Sequence, residues 1–105
     1  MSLLEFLLKE YLTIVAKLEE TEMIENNRIT IERDYFRNLL EKYPYITFRD
    51  KTKVYKTLNL IIHDKNNYTM PCKDKKSKKT VRKVVINYKT YLIIKSYYFK
   101  NIENI

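Results

Sequence analysis

The chain contains no glycine in 105 residues. Glycine alone enters the positive-φ region without a steric penalty, so tight turns here must draw on the next most tolerant residues, Asn and Asp. The candidates are Asn26-Asn27, Asn66-Asn67 and Asn101. The same absence excludes glycine-rich phosphate loops and dinucleotide-binding fingerprints, whose backbone needs that freedom. Hydrophobic residues make up 45% of the chain, enough for a packed core, and the length suits one core, hence a single domain over 1–105.

The inventory of reactive side chains is short. Cys72 and His63 are the only residues of their kinds, so neither an internal disulfide nor a zinc site with three or four such ligands is expected. A tyrosine nucleophile for strand cleavage would need several histidines around a metal, or arginines and a histidine around the phosphate. The expectation is therefore a protein that is not an enzyme and carries no cofactor. The apolar N-terminus is interrupted by Glu5, Lys9 and Glu10 and reads as a folded helix and not as a signal peptide. No run of 18 apolar residues offers a membrane span, and the expected location is cytoplasmic.

Charge divides the chain in two. Residues 1–50 hold 7 Lys/Arg against 10 Asp/Glu, whereas residues 51–105 hold 14 against 3, giving +8 overall. So polarised a field suits a polyanionic partner.

Periodicity gives the elements. Ser2 followed by Glu5 forms a capping box for a helix running to about Glu20. Its apolar stripe is Leu4, Leu8, Tyr11, Val15 and Leu18, widened by Leu3, Leu7 and Ile14. Thr30 is the expected cap of a second helix, Ile31 to about Lys42, ended by Pro44, with Tyr45-Ile46 as linker. Its apolar face would hold Ile31, Tyr35, Phe36, Leu39 and Leu40. Thr47 and Asp50 repeat the capping pattern for a third helix, about Phe48 to Ile62. From Asn66 the period changes: a short edge strand at Tyr68–Cys72, a basic loop over 73–79, and an alternating strand from Thr80 to Tyr88. Tyr91–Phe99 is rich in β-branched and aromatic residues and reads as a further strand, joined through a turn at 87–90.

Three helices followed by a basic β-hairpin or small antiparallel sheet make an α+β chain in the order of a winged helix-turn-helix. Over residues 30–100 the sequence resembles the winged helix-turn-helix DNA-binding proteins. In size, charge asymmetry and AT-rich coding composition it is similar, more narrowly, to the TcpK group of relaxosome accessory proteins of clostridial conjugative plasmids. That resemblance implies non-catalytic, sequence-preferring binding of double-stranded DNA at repeated sites near an origin of transfer, alongside other plasmid-transfer proteins, or a role as a small transcriptional regulator. Members of the family usually keep a glycine or two in their turns; this chain has none.

Two basic surfaces would carry that function. The first is the hairpin, or wing: Lys73, Lys75, Lys76, Lys78, Lys79, Arg82, Lys83 and Lys89, with Asp74 the only acid among them. Such charges straddle phosphates and release condensed counterions. The bland alternative is a solvated loop that guards an edge strand. The second surface is the third helix, with Arg49, Lys53 and Lys56 at i, i+4 and i+7 and Lys51 at the edge of the stripe. Tyr88, Tyr91, Tyr97 and Tyr98 would stack on unpaired bases if exposed, which defines a single-strand binder; at strand spacing they are more simply half-buried sheet residues. The rival from another class is a protein-interaction module docking its basic half on an acidic protein. A protruding hairpin favours DNA, a flat patch favours protein. The broad stripe on the first helix, or the C-terminal strand, is the expected interface of a homodimer.

Overall fold

A computed structural model describes residues 2–40 and 46–103, with side chains of the last helix described through Tyr98. The elements are α1 (Leu3–Thr21), β1 (Arg28–Ile31), α2 (Arg33–Leu40), α3 (Phe48–Thr57), β2 (Ile61–Ile62), β3 (Met70–Lys73), β4 (Thr80–Asn87) and α4 (Tyr88–Glu103). This is an α+β arrangement with four helices and a small antiparallel sheet among the described residues.

α1 starts where the capping box places it. The Ser2 hydroxyl accepts from the Glu5 amide at 3.1 Å, which satisfies one of the free donors of the first turn. Its buried face is Leu7, Glu10, Tyr11, Ile14, Val15 and Leu18. The stripe is thus rotated from the expected one, leaving Leu3 and Leu4 at 55% and 50% exposure.

The expected helix start at Thr30 is overturned. Ile29 and Ile31 point inward while Arg28 and Thr30 point out, a period of two that makes β1. Asn26 and Asn27 both take positive φ, 53° and 59°, and turn the chain so that Glu25 and Arg28 exchange backbone hydrogen bonds of 3.0 and 2.9 Å. This is the two-residue turn that glycine would ordinarily supply. Of the other turn candidates, Asn66-Asn67 does not use positive φ and Asn101 lies inside α4.

α2 therefore begins two residues later than Ile31, and buries Phe36 and Leu40 while Tyr35 is exposed. The expected end of that helix at Lys42, its stop at Pro44 and the linker residue Tyr45 lie outside the described residues. α3 opens at Thr47, whose hydroxyl accepts from the Asp50 amide at 3.1 Å. It stops at Thr57 and not at Ile62. Asn59 adopts φ 55°, and the Leu60 amide donates back to the Tyr55 carbonyl at 2.9 Å, a C-terminal lock in which Asn again replaces glycine. Ile61-Ile62 is thereby released to form β2.

β4 is the spine of the sheet. Its inner half pairs antiparallel with β1 (Ile31 opposite Val84, Ile29 opposite Ile86) and on its other side with β2 (Ile61 opposite Ile86). Its outer half, Thr80–Lys83, pairs with β3 in register Met70–Lys83 to Lys73–Thr80. β3 begins two residues later than the expected Tyr68. The continuous buried run Val84, Val85 and Ile86 reflects cover on both faces.

The C-terminus is a further correction. Tyr91–Phe99 is not a strand, and residues 87–90 do not turn back. The Asn87 side-chain oxygen accepts from the Thr90 amide at 3.3 Å, and the chain passes directly into α4. Inward-facing Tyr91, Ile94, Lys95 and Tyr98 recur at 3, 4 and 7, so helical periodicity prevails over β-rich composition once α1 offers a surface to pack on. Tyr91 is fully buried, and its ring meets Tyr11 edge-on at 6.4 Å. The core continues through edge-on pairs Tyr11–Tyr55 at 5.7 Å and Phe36–Tyr55 at 6.0 Å, each contributing about 0.5–1.5 kcal/mol beyond its burial.

Candidate nucleic-acid interface

The hairpin emerges because β4 outlasts its other neighbours. Beyond Val84 neither β1 nor β2 continues, so β3 and the outer half of β4 form a two-stranded ribbon leaving the sheet. Its tip is a short loop closed by the Asp74 amide on the Lys79 carbonyl and the Lys78 amide on the Asp74 carbonyl, both 2.9 Å. Lys73, Lys75, Lys76, Lys78 and Lys79 are all exposed.

Three of the eight residues expected on this surface sit differently. Arg82 is engaged inward: its Nε donates to Thr69 Oγ1 at 2.9 Å and its Nη2 to the Thr69 carbonyl at 2.9 Å, and it forms an ion pair with Asp64. It ties β4 to the β2–β3 connection. Lys83 pairs with Glu32 at 3.3 Å, with only 20% of its side chain exposed. Lys89 is exposed but belongs to α4, past the opposite end of β4, so roughly 23 Å of strand separates it from the tip. The hairpin charge is concentrated in five lysines.

A cleft of about 680 Å3 runs between this ribbon and the α1–β1 connection, with Glu22, Glu25 and Glu32 lining it together with Lys73, Lys76 and Lys83. The acidic half of the sequence thus reaches one flank of the basic hairpin.

On α3, Arg49 and Lys53 are exposed and Lys56 is half-buried, so the i, i+4, i+7 stripe is present. Lys51 is not part of it. Its side chain is fully buried, with Nζ 2.6 Å from Glu10 Oε2 on α1 and donating to the Leu40 carbonyl on α2 at 2.7 Å. The Tyr55 hydroxyl donates to the other Glu10 oxygen at 3.0 Å. This network fixes α3 against α1 and α2, and burial followed by the neighbouring Glu10 charge pushes the Tyr55 hydroxyl well above its ordinary range. Sequence reasoning missed it although a signal existed. Glu10 falls between Leu7, Tyr11 and Ile14 on the apolar face of α1, and Lys51 lies between Phe48 and Tyr55 at i+3 and i+7 of α3. A lone charge on each of two apolar faces calls for a partner of opposite sign.

The tyrosines are mostly engaged. Tyr91 is buried and Tyr88 half-buried, and both hydroxyls donate to the Glu19 carboxylate. Burial alone would raise that carboxyl; the two tyrosine hydrogen bonds and the Lys95 ammonium outweigh it and hold it below its ordinary value. Tyr98 is half-buried, which leaves Tyr97, at 65%, as the exposed one of the four expected stacking residues. Among the described residues no three His, Cys, Asp or Glu side chains converge as a metal site would require, and no helix is long and apolar enough to cross a membrane. The sequence matches no known family model, and none of the curated proteins matches it.

Proposed function

We propose that the protein is a winged helix-turn-helix binder of double-stranded DNA in which the β3–β4 hairpin, as the wing, provides most of the affinity. The observation carrying this reading is the ribbon itself: five exposed lysines on a two-stranded projection, where a flat basic patch would have favoured an acidic protein partner. The order of elements supports it as well, since α2 and α3 precede a strand pair ending in the wing. Exposed Arg49 and Lys53 on α3 provide a second surface, with Arg49 near the helix start suited to a guanine edge. Engagement of Tyr88 and Tyr91 by Glu19 weakens the single-strand alternative, which needs several free rings.

Within this proposal the protein acts as a pair. Leu92, Ile93 and Tyr97 form an exposed apolar ridge on α4. On the inner side of α4, Leu12, Ala16, Tyr91 and Tyr98 line a groove of about 620 Å3 between α1 and α4. The ridge of one copy and the groove of another offer apolar surface over which two copies would pair and occupy paired sites. Plasmid transfer or transcriptional regulation is the setting that the family resemblance suggests.

Fluorescence anisotropy of a labelled AT-rich duplex and of its single strand, at about 50 and 200 mM salt, tests the reading. Duplex binding that weakens by orders of magnitude across that range is expected, and absence of binding to either form at the lower salt would refute it. In sedimentation equilibrium, the dimer is expected for the wild type and a monomer for Ile93→Glu.

A further inference from the structure

Asp74 stands among the wing lysines as the one residue whose charge opposes binding to a polyanion. By charge counting alone the site would be better without it. Its contacts explain why it is there. Asp74 Oδ2 accepts from Ser77 Oγ at 2.8 Å and from the Ser77 amide at 3.3 Å, and Oδ1 accepts from the Lys76 amide at 3.5 Å. Its own amide and carbonyl close the loop on Lys79 and Lys78. The Ser77 hydroxyl, held by the carboxylate, in turn accepts from the Lys79 amide at 3.4 Å. These bonds keep the carboxyl ionised at lower pH than usual, the Ser77 side chain contributing most and the Lys76 amide next.

The loop they close contains an unfavourable conformation. Lys78 sits at φ 59°, the left-handed region that a residue with a Cβ enters only at a cost. No glycine is available to take this position, so the conformation has to be held by its surroundings. In the turn from Asp74 to Lys79, the acid's side chain and main chain account for nearly every such bond, which directs the lysine side chains outward from a fixed backbone.

We infer that Asp74 is a positioning residue for DNA recognition: its carboxylate organises the wing tip so that Lys75, Lys76, Lys78 and Lys79 meet phosphates without first losing loop entropy. The inference rests on the proposed duplex binding and makes a prediction opposite in sign to simple electrostatics. Asp74→Ala removes a negative charge, which should tighten binding if charge alone matters. If preorganisation dominates, the variant binds the duplex about 3- to 10-fold more weakly, because the loop must now be ordered on binding. Asp74→Asn removes the same charge but keeps a side-chain carbonyl to accept both bonds from Ser77, giving up only the 3.5 Å bond from the Lys76 amide, so it restores wild-type affinity or exceeds it.

The experiment compares the wild type, Asp74→Ala and Asp74→Asn by duplex anisotropy at one salt concentration, together with backbone 15N relaxation of the free proteins. Expected are weaker binding for Asp74→Ala alone, and order parameters at Ser77 and Lys78 that fall from about 0.8 in the wild type to below about 0.6 in that variant only. Asp74→Ala binding as tightly as the wild type, or more tightly, overturns the inference. If the wild type binds no duplex, the proposed function fails on its own. The relaxation data then decide the positioning role, and equal order in wild type and Asp74→Ala overturns it.

Discussion

α3 and the β3–β4 hairpin are both lysine-rich, yet the fold treats their charges in opposite ways. On α3 the four cations fall on different sides of a packed cylinder, and Lys51 is drawn into the core by Glu10 and Leu40 while Arg49 and Lys53 remain outside. On the hairpin the two strands have no second layer to bury against at their outer end, so the lysines from 73 to 79 stay in water. Where the hairpin rejoins the sheet the treatment changes within three residues. Arg82 bonds to Thr69 and Asp64, and Lys83 turns to Glu32. Whether a basic residue faces a partner is thus decided by what lies beside it in space, not by how many lysines surround it in sequence.

Substitutions can break this comparison at its buried end first. Lys51→Met should lower unfolding stability by about 3–5 kcal/mol in a denaturant titration, because it strands the Glu10 carboxylate in the core. Adding Glu10→Gln should return part of that loss, and stability within error of the wild type for Lys51→Met would contradict the buried pair. Arg82→Ala should cost less, about 1–2 kcal/mol, through the hydrogen bonds to Thr69. Lys75→Ala, in contrast, should stay within about 0.5 kcal/mol of the wild type, as a free surface lysine does. Glu32→Gln also acts weakly on stability and shows itself in binding. Its exposed half of the pair with Lys83 makes the stability change at most about 1 kcal/mol, but releasing Lys83 should steepen the salt dependence of duplex binding by up to about one unit.

Much of the fold was legible in the chain. Both capping boxes, at Ser2 and Thr47, begin helices, and Asn26-Asn27 makes the positive-φ turn that a glycine-free chain requires. The basic hairpin follows from alternation over Thr80–Tyr88 and a lysine loop, with Tyr88 itself already the first residue of α4. Besides Ile61-Ile62, expected in the third helix and found as β2, two elements differ from the expectation for one reason: composition and capping signals do not report the neighbouring surface. β1 was hidden because Thr30 resembles a helix cap, although Ile29 and Ile31 already alternate. α4 was hidden because tyrosine and isoleucine favour strands, although positions 91, 94, 95 and 98 keep a helical period that α1 rewards with a packing face. In the candidate site, the stripe of Arg49, Lys53 and Lys56 was visible from spacing. The inward turn of Lys51 was not, because it depends on Glu10, 41 residues away in the chain.

The central claim is that the hairpin outweighs α3 in holding duplex DNA, and the slope of binding against salt tests it most directly. Two double variants, Lys75→Ala with Lys79→Ala and Arg49→Ala with Lys53→Ala, remove equal charge from the two surfaces. The account predicts that the hairpin pair lowers the log–log slope by about 2 and the helix pair by about 1 or less. An unchanged slope for the hairpin pair, with the loss appearing in the helix pair, would contradict it.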